Sequence, residues 1–89
     1  IIEVIIDRMG RVEKMYLTGD YARGRDTGII DLVFVGDIDK EYLVKMVSKA
    51  EKLIDRKVRF VTYDSPEWVA LEHKNGTEAE KYLLLWENK

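Results

Sequence analysis

Cysteine is absent, histidine and proline occur once each, and neither sign of charge prevails, with 15 basic against 17 acidic residues in 89. Without cysteine there is no disulfide, no thiolate metal site and no cysteine nucleophile, and one histidine cannot build a histidine-based zinc centre. The lack of cysteine fits a reducing compartment. A net charge of −2 spread along the chain gives no electrostatic footprint of a free-standing DNA-binding domain, so nucleic-acid contact is expected of another module. Long apolar runs are missing too. The longest, Leu32–Val35 and Tyr82–Trp86, are far too short to span a bilayer, and no secretory signal is expected. A cytoplasmic protein without a membrane partner is the expectation.

What is present suits one soluble globular domain with a modest core: 46% of residues are hydrophobic and 36% charged. The chain opens on Ile1-Ile2-Glu3-Val4-Ile5-Ile6, as if inside a pattern, so residues 1–89 are expected to be a single domain excised from a longer chain.

Apolar residues at 1, 2, 5, 6 and 9 have the spacing of a helical face, with Gly10 as a stop. Residues 12–18 alternate and then turn apolar, as a strand entering the core does. Residues 20–25 read as a short helical turn with Asp20 as its N-cap. Asp26-Thr27-Gly28 is a tight turn, and 29–35 a buried strand bounded by Gly36. Between Asp39 and Arg56, Leu43, Met46, Val47, Ala50, Leu53 and Ile54 recur at three and four, which predicts a helix capped by Asp37 or Asp39. Arg56 and Lys57 suit its negative end. Residues 58–63 alternate as a strand. Ser65 and Pro66 suit the N-cap and first position of a helix over 66–74. Asn75-Gly76 reads as a turn, and 77–86 as a segment that starts helical and finishes as an edge strand through Tyr82–Trp86.

The stretch Gly19-Asp20-Tyr21-Ala22-Arg23-Gly24, followed by Gly28-Ile29-Ile30-Asp31-Leu32-Val33-Phe34-Val35, combines a phosphate-binding type of turn with a strand carrying one carboxylate. It resembles the signature of the nucleotidyltransferase superfamily of minimal nucleotidyltransferases and DNA polymerase beta-like enzymes. That signature runs Gly-Ser, often aromatic-Ala-Arg-Gly, a short loop, then Asp-x-Asp on a strand. Gly19, Tyr21, Ala22, Arg23, Gly24 and Asp31 match, over roughly residues 12–63; the family serine is Asp20 and its first aspartate is Ile29. The resemblance implies an α/β (α+β) fold, a mixed sheet of three to four strands with helices packed on it, the 39–56 helix on one face and the 19–31 edge lining a shallow pocket.

Nucleotidyl transfer needs phosphates held by backbone N–H groups and by carboxylates on one or two magnesium ions. Carboxylates at i and i+2 of a strand point the same way, so Asp-x-Asp forms a two-pronged clamp. Here one prong is Ile29. The family's third carboxylate falls on the 58–63 strand, where Arg59 is the expected occupant and a candidate partner for Asp31. A carboxylate at Asp20 repels a phosphate: at about 4 Å and an effective dielectric near 20, a like-charge pair costs on the order of 4 kcal/mol.

The vestigial nucleotide-binding residues are then Gly19, Asp20, Arg23 and Gly24, with no catalytic residue, metal or cofactor; in an active enzyme, Asp31 would be the catalytic metal ligand for magnesium, with Asp20 or Asp26 sharing it. Asp31 is otherwise a vestigial ligand or a partner of Arg23, Arg25 or Arg59, and Arg23 a solvated or paired cation. His73 reads as surface, and Lys45, Lys49, Lys52 and Arg56 as a solvated face interrupted by Glu41, Glu51 and Asp55. Trp68, Tyr82 and Trp86 read as core or as a homodimer contact. The Gly-Asp-Tyr-Ala-Arg-Gly variant resembles domains fused behind ArsR-type winged helices in bacterial transcriptional regulators, which implies an upstream winged-helix partner. Three functions follow: a catalytically degenerate regulatory, ligand-sensing or interaction module; an active nucleotidyltransferase acting on a hydroxyl; and a homodimerisation unit.

Overall fold

The computed structural model describes residues 8–75 and 81–88. Four strands form one mixed sheet: β1 (Gly10–Thr18), β2 (Ile29–Ile38), β3 (Lys57–Tyr63) and β4 (Leu83–Glu87), in the order β3-β2-β1-β4. β1 runs antiparallel to both neighbours, whereas β2 and β3 are parallel. The parallel pair requires a crossover, and α2 (Lys40–Ile54) supplies it. A one-turn helix α1 (Gly19–Ala22) joins β1 to β2, and α3 (Ser65–Asn75) follows β3.

Alternation along the strands divides the core between the two sheet faces. On one, Phe34 and the completely buried Leu43 of α2 pack with Met9 and Val12, flanked by Met46, Val47, Phe60 and Trp86. Each such side chain contributes about 1.5–3 kcal/mol by leaving water. On the other, Tyr16, Val33 and Val35 pack under Trp68 of α3, flanked by Tyr63, Leu71 and Tyr82. Tyr16 and Trp68 have ring centroids 4.9 Å apart, and Tyr82 stands edge-on to Trp68 at 5.3 Å. Among the described residues, Trp68 Nε1 is buried without a hydrogen-bond partner. The apolar area that Trp68 buries against Tyr16, Tyr63 and Tyr82 holds it in place. Trp68, Tyr82 and Trp86 all serve the chain's own packing.

Several boundaries differ from the sequence expectation. β2 does not end at Gly36 but crosses it, because β1 bulges between Val12 and Lys14 and then pairs Gly10–Val12 with Gly36–Ile38. The long helix begins after Asp39, whose Oδ1 accepts from Tyr42 N–H at 3.2 Å, and stops at Asp55 with φ of 53°. Arg56 lies beyond it, donating to the Ile54 carbonyl at 2.9 Å. Asp64, not Ser65, caps α3: Asp64 Oδ1 accepts from Glu67 N–H at 2.8 Å while Glu67 Oε1 accepts from Asp64 N–H at 2.9 Å. This reciprocal pair is a capping box. Ser65 instead donates its hydroxyl to Glu13. β4 is the edge strand expected at the C-terminal end. The expected helix over 1–9 and the helical start at 77–80 lie outside the described residues, apart from Arg8 and Met9. Among the described residues, no helix is long and apolar enough to cross a membrane.

Candidate functional site

The site lies where β1 ends and β2 begins. Register places Thr18 beside Asp31 on β2 and Arg59 beside Asp31 on β3, all directed to one face. Ile29, two residues before Asp31, is paired with Lys57. Thr18, Gly19, Asp31 and Arg59 line a shallow cavity of about 410 Å³, with Leu32, Val33, Phe60 and Val61. Gly19 has φ of +74°, and a Cβ there would stand 2.5 Å from Asp31 Oδ2. Only glycine lets the turn pass this close to the carboxylate.

Asp31 is held by a two-pronged pair with Arg59, whose Nε donates to Oδ1 at 2.7 Å and Nη2 to Oδ2 at 3.0 Å. The hydrogen bonds and charge of Asp31 raise Arg59 above the ordinary guanidinium range, and Asp20 adds attraction. Arg59 stays largely exposed, while Asp31 is 23% exposed, so the guanidinium covers the carboxylate.

Asp20 does not cap the helical turn. Thr18 stands at the N-cap position without a side-chain cap bond, α1 ends at Ala22, and Asp20 pairs instead with Arg25 Nη2 at 3.1 Å. Starting the helix at Gly19 puts Asp20 inside the first turn, facing outward toward Arg25. Both side chains are about half exposed or more, so the pair contributes at most about 1 kcal/mol. Arg23 is exposed and makes no ion pair among the described residues, and Gly24 is exposed beside it. The backbone N–H groups of Arg23 and Arg25 both donate to the Asp20 carbonyl, at 3.0 and 2.9 Å, and that of Gly24 donates to Tyr21 at 3.1 Å. These bonds close the loop that follows α1.

Asp26 was the other candidate carboxylate, and it is committed elsewhere. Its Oδ1 accepts from Gly28 N–H at 3.0 Å, forming the expected tight turn, and both its oxygens accept from Arg56. Gly28 O in turn accepts from Lys57 N–H at 2.9 Å, which fastens the loop to β3. The hydrogen bonds from Arg56 and then Gly28 hold Asp26 below the usual carboxylate range. A carboxyl whose folded pKa is depressed stabilises above its unfolded pKa, about 3.9, and loses that contribution as pH falls through the folded value. Protection of the Gly28 and Lys57 amides, the exchange rate relative to the intrinsic rate at the same pH, is therefore expected to stay level from neutral pH down to about pH 4 and to fall below it. Loss of protection already at pH 6 would contradict this anchor.

The donor set does not fit magnesium. Ile29 offers no ligand atom, both Asp31 oxygens are bonded to Arg59, and no group of three or more potential ligands is placed to hold a metal among the described residues. Arg59 supplies positive charge from within the chain.

No protein-family model matches the sequence. Over 42 residues the chain is 43% identical to "Putative protein adenylyltransferase MJ0604" of Methanocaldococcus jannaschii, which takes in 45% of this chain and 42% of that protein. The match thus spans less than half of the relative's length. In structure the chain is similar to a toxin–antitoxin with AMP-PNP, at a TM-score of 0.65 and 20% identity over 99% of this chain and 71% of that one. It is also similar to a "putative nucleotidyltransferase" of Sulfolobus solfataricus, at a TM-score of 0.55 and 24% identity over 98% of this chain and 74% of the other. The class is therefore that of the minimal nucleotidyltransferase fold. Within it, this chain carries Asp20, Ile29 and an Asp31–Arg59 pair.

Proposed function

We propose that this is a nucleotidyltransferase-fold module that does not transfer nucleotides and serves a larger chain as a ligand-sensing or interaction domain. The observation that carries this reading is the pair of hydrogen bonds from Arg59 to Asp31 at 2.7 and 3.0 Å, in the place where the family resemblance expects carboxylates around a metal. A guanidinium so placed neutralises the remaining aspartate and disfavours a divalent cation beside it. Asp20, in the first turn where the family has serine, adds repulsion toward a phosphate. The resemblance of Gly19–Gly24 to domains fused behind ArsR-type winged helices supports a parent that is a bacterial, cytoplasmic transcriptional regulator.

A second reading, nucleotidyl transfer from a nucleoside triphosphate to a hydroxyl, is favoured by the 43% identity to a protein named as an adenylyltransferase. Titration with ATP, GTP, CTP and UTP, with and without magnesium, followed by backbone amide shifts, separates the two. The module reading expects no magnesium-dependent shift at Gly19–Gly24 or Asp31 up to millimolar nucleotide. Clustered, magnesium-dependent shifts there would overturn it in favour of the enzyme.

A further inference from the structure

We infer that the cavity beside Asp31 takes a small monocarboxylic acid without a metal, with the carboxylate on the outer edge of the Arg59 guanidinium and the apolar body over Val61. The inference rests on the module reading above and gives the ligand of that module a chemical class.

A guanidinium carries five N–H groups in one plane, and two of its edges can each give a pair of parallel hydrogen bonds to a carboxylate. Asp31 takes up the edge formed by Nε and Nη2. The N–H groups of Nη1 and the second one of Nη2 make no hydrogen bond among the described residues. They form the other edge, and the Arg59 side chain is 59% exposed, so this second fork is open to a ligand. Asp31 grips the guanidinium from behind and fixes its plane, which leaves the open fork oriented before anything binds.

The charge around it favours an anion. Strand alternation puts Lys57 on the same face as Arg59, and register sets Lys57 beside Ile29 and Arg59 beside Asp31. Lys57 makes no ion pair among the described residues, so at these four positions two cations stand against one carboxylate. Asp20 limits how negative the ligand can be. It lies close enough to attract Arg59, and its repulsion grows in proportion to the ligand's charge, so it opposes a phosphate dianion or a polyphosphate more than a single carboxylate.

Next to the fork the lining turns apolar. Val33 is buried and Val61, beside it on β3, is 48% exposed on the face of Arg59. An apolar body lying there removes the exposed part of Val61 from water. Two residues further along β3, Tyr63 lies against Trp68, so the uncovered stretch of this face is short and suits a small acid.

The test adds acetate, hexanoate or hexanamide to the whole chain at neutral pH with a chelator present, and follows backbone amide shifts. Hexanoate is expected to give saturable shifts at Gly19, Asp31, Arg59 and Val61, and to bind at least about ten-fold tighter than acetate. Hexanamide, which has the same shape without the charge, should leave them unmoved. Arg59→Gln should weaken hexanoate about ten-fold or more, and Arg59→Lys, which keeps the charge but has no fork, by a similar factor. Val61→Ser should weaken hexanoate and leave acetate unchanged, with far-ultraviolet circular dichroism confirming that each variant folds. No saturable shift from hexanoate in the tens of millimolar overturns the inference, as does hexanamide binding equally well or Arg59→Gln binding hexanoate as the parent does. Failure here and failure of the module reading are distinguishable: the first is silence toward hexanoate in the absence of magnesium, the second a magnesium-dependent response to nucleotide.

Discussion

Replacing Gly36 by alanine is expected to lower the melting temperature by at least about 10 °C, the response of a domain of this size to a loss of roughly 2 kcal/mol. Two effects add. Gly36 has φ of +141°, a region that side chains rarely enter, at a cost of order 1–3 kcal/mol. It is also buried against the bulge of β1, where a Cβ would collide with the Arg11 carbonyl oxygen and stand 3.0 Å from Glu13 N. Both obstacles are backbone, which cannot swing aside as the end of a flexible side chain can, and overpacking of this kind typically costs a further 1–3 kcal/mol, as a rough range. A domain of this length has on the order of 4–13 kcal/mol of stability in all, so the variant gives up a large share. Thermal unfolding by circular dichroism reads the result, with exposed Ser48→Ala as a control expected within about 0.5 kcal/mol of the parent. A Gly36→Ala melting curve that overlays the parent's would show that β1 and β2 are not paired through Gly36 as described.

That position also shows where sequence reasoning stops. A glycine after Leu32-Val33-Phe34-Val35 reads as the end of a strand, and only the bulge contributed by β1, a segment more than twenty residues away in sequence, turns it into the middle of one. The long helix was legible because its periodicity is local: Leu43, Met46 and Val47 mark the face that packs on the sheet. Asp31 beside Arg59 was legible because the family pattern supplied the register of two strands that composition alone could not align. The capping box of α3 was there to be read in Asp64 and Glu67, three residues apart, but Ser65-Pro66 offered a competing start signal. The Asp26–Arg56 pair, thirty residues apart, and the packing of Tyr16 under Trp68 and Tyr82 depend on which elements become neighbours. Local patterns do not encode that.

A variant carrying Asp20→Ser, Ile29→Asp and Arg59→Asp is expected to gain a magnesium-dependent rise in melting temperature that the natural chain lacks. In the natural site, Asp31 is neutralised by Arg59 and stands two residues from an apolar side chain, so a divalent ion would meet one occupied carboxylate and a cation. The variant places carboxylates at 29 and 31, pointing the same way from β2, and a third at 59 in register on β3. Three such groups repel one another until a hard cation with carboxylate preference joins them. The lost Asp31–Arg59 pair lies at an exposed edge, where solvent screens ion pairs, so the fold should survive its removal. Binding only the folded state, magnesium at 100 times its dissociation constant would then stabilise the variant by about 2.7 kcal/mol, a shift of roughly 10 °C or more. Thermal unfolding with and without magnesium measures both proteins side by side. An equal rise in the natural chain would mean that Arg59 yields Asp31 to the metal, and the reading of this domain as a module without transfer activity would fall.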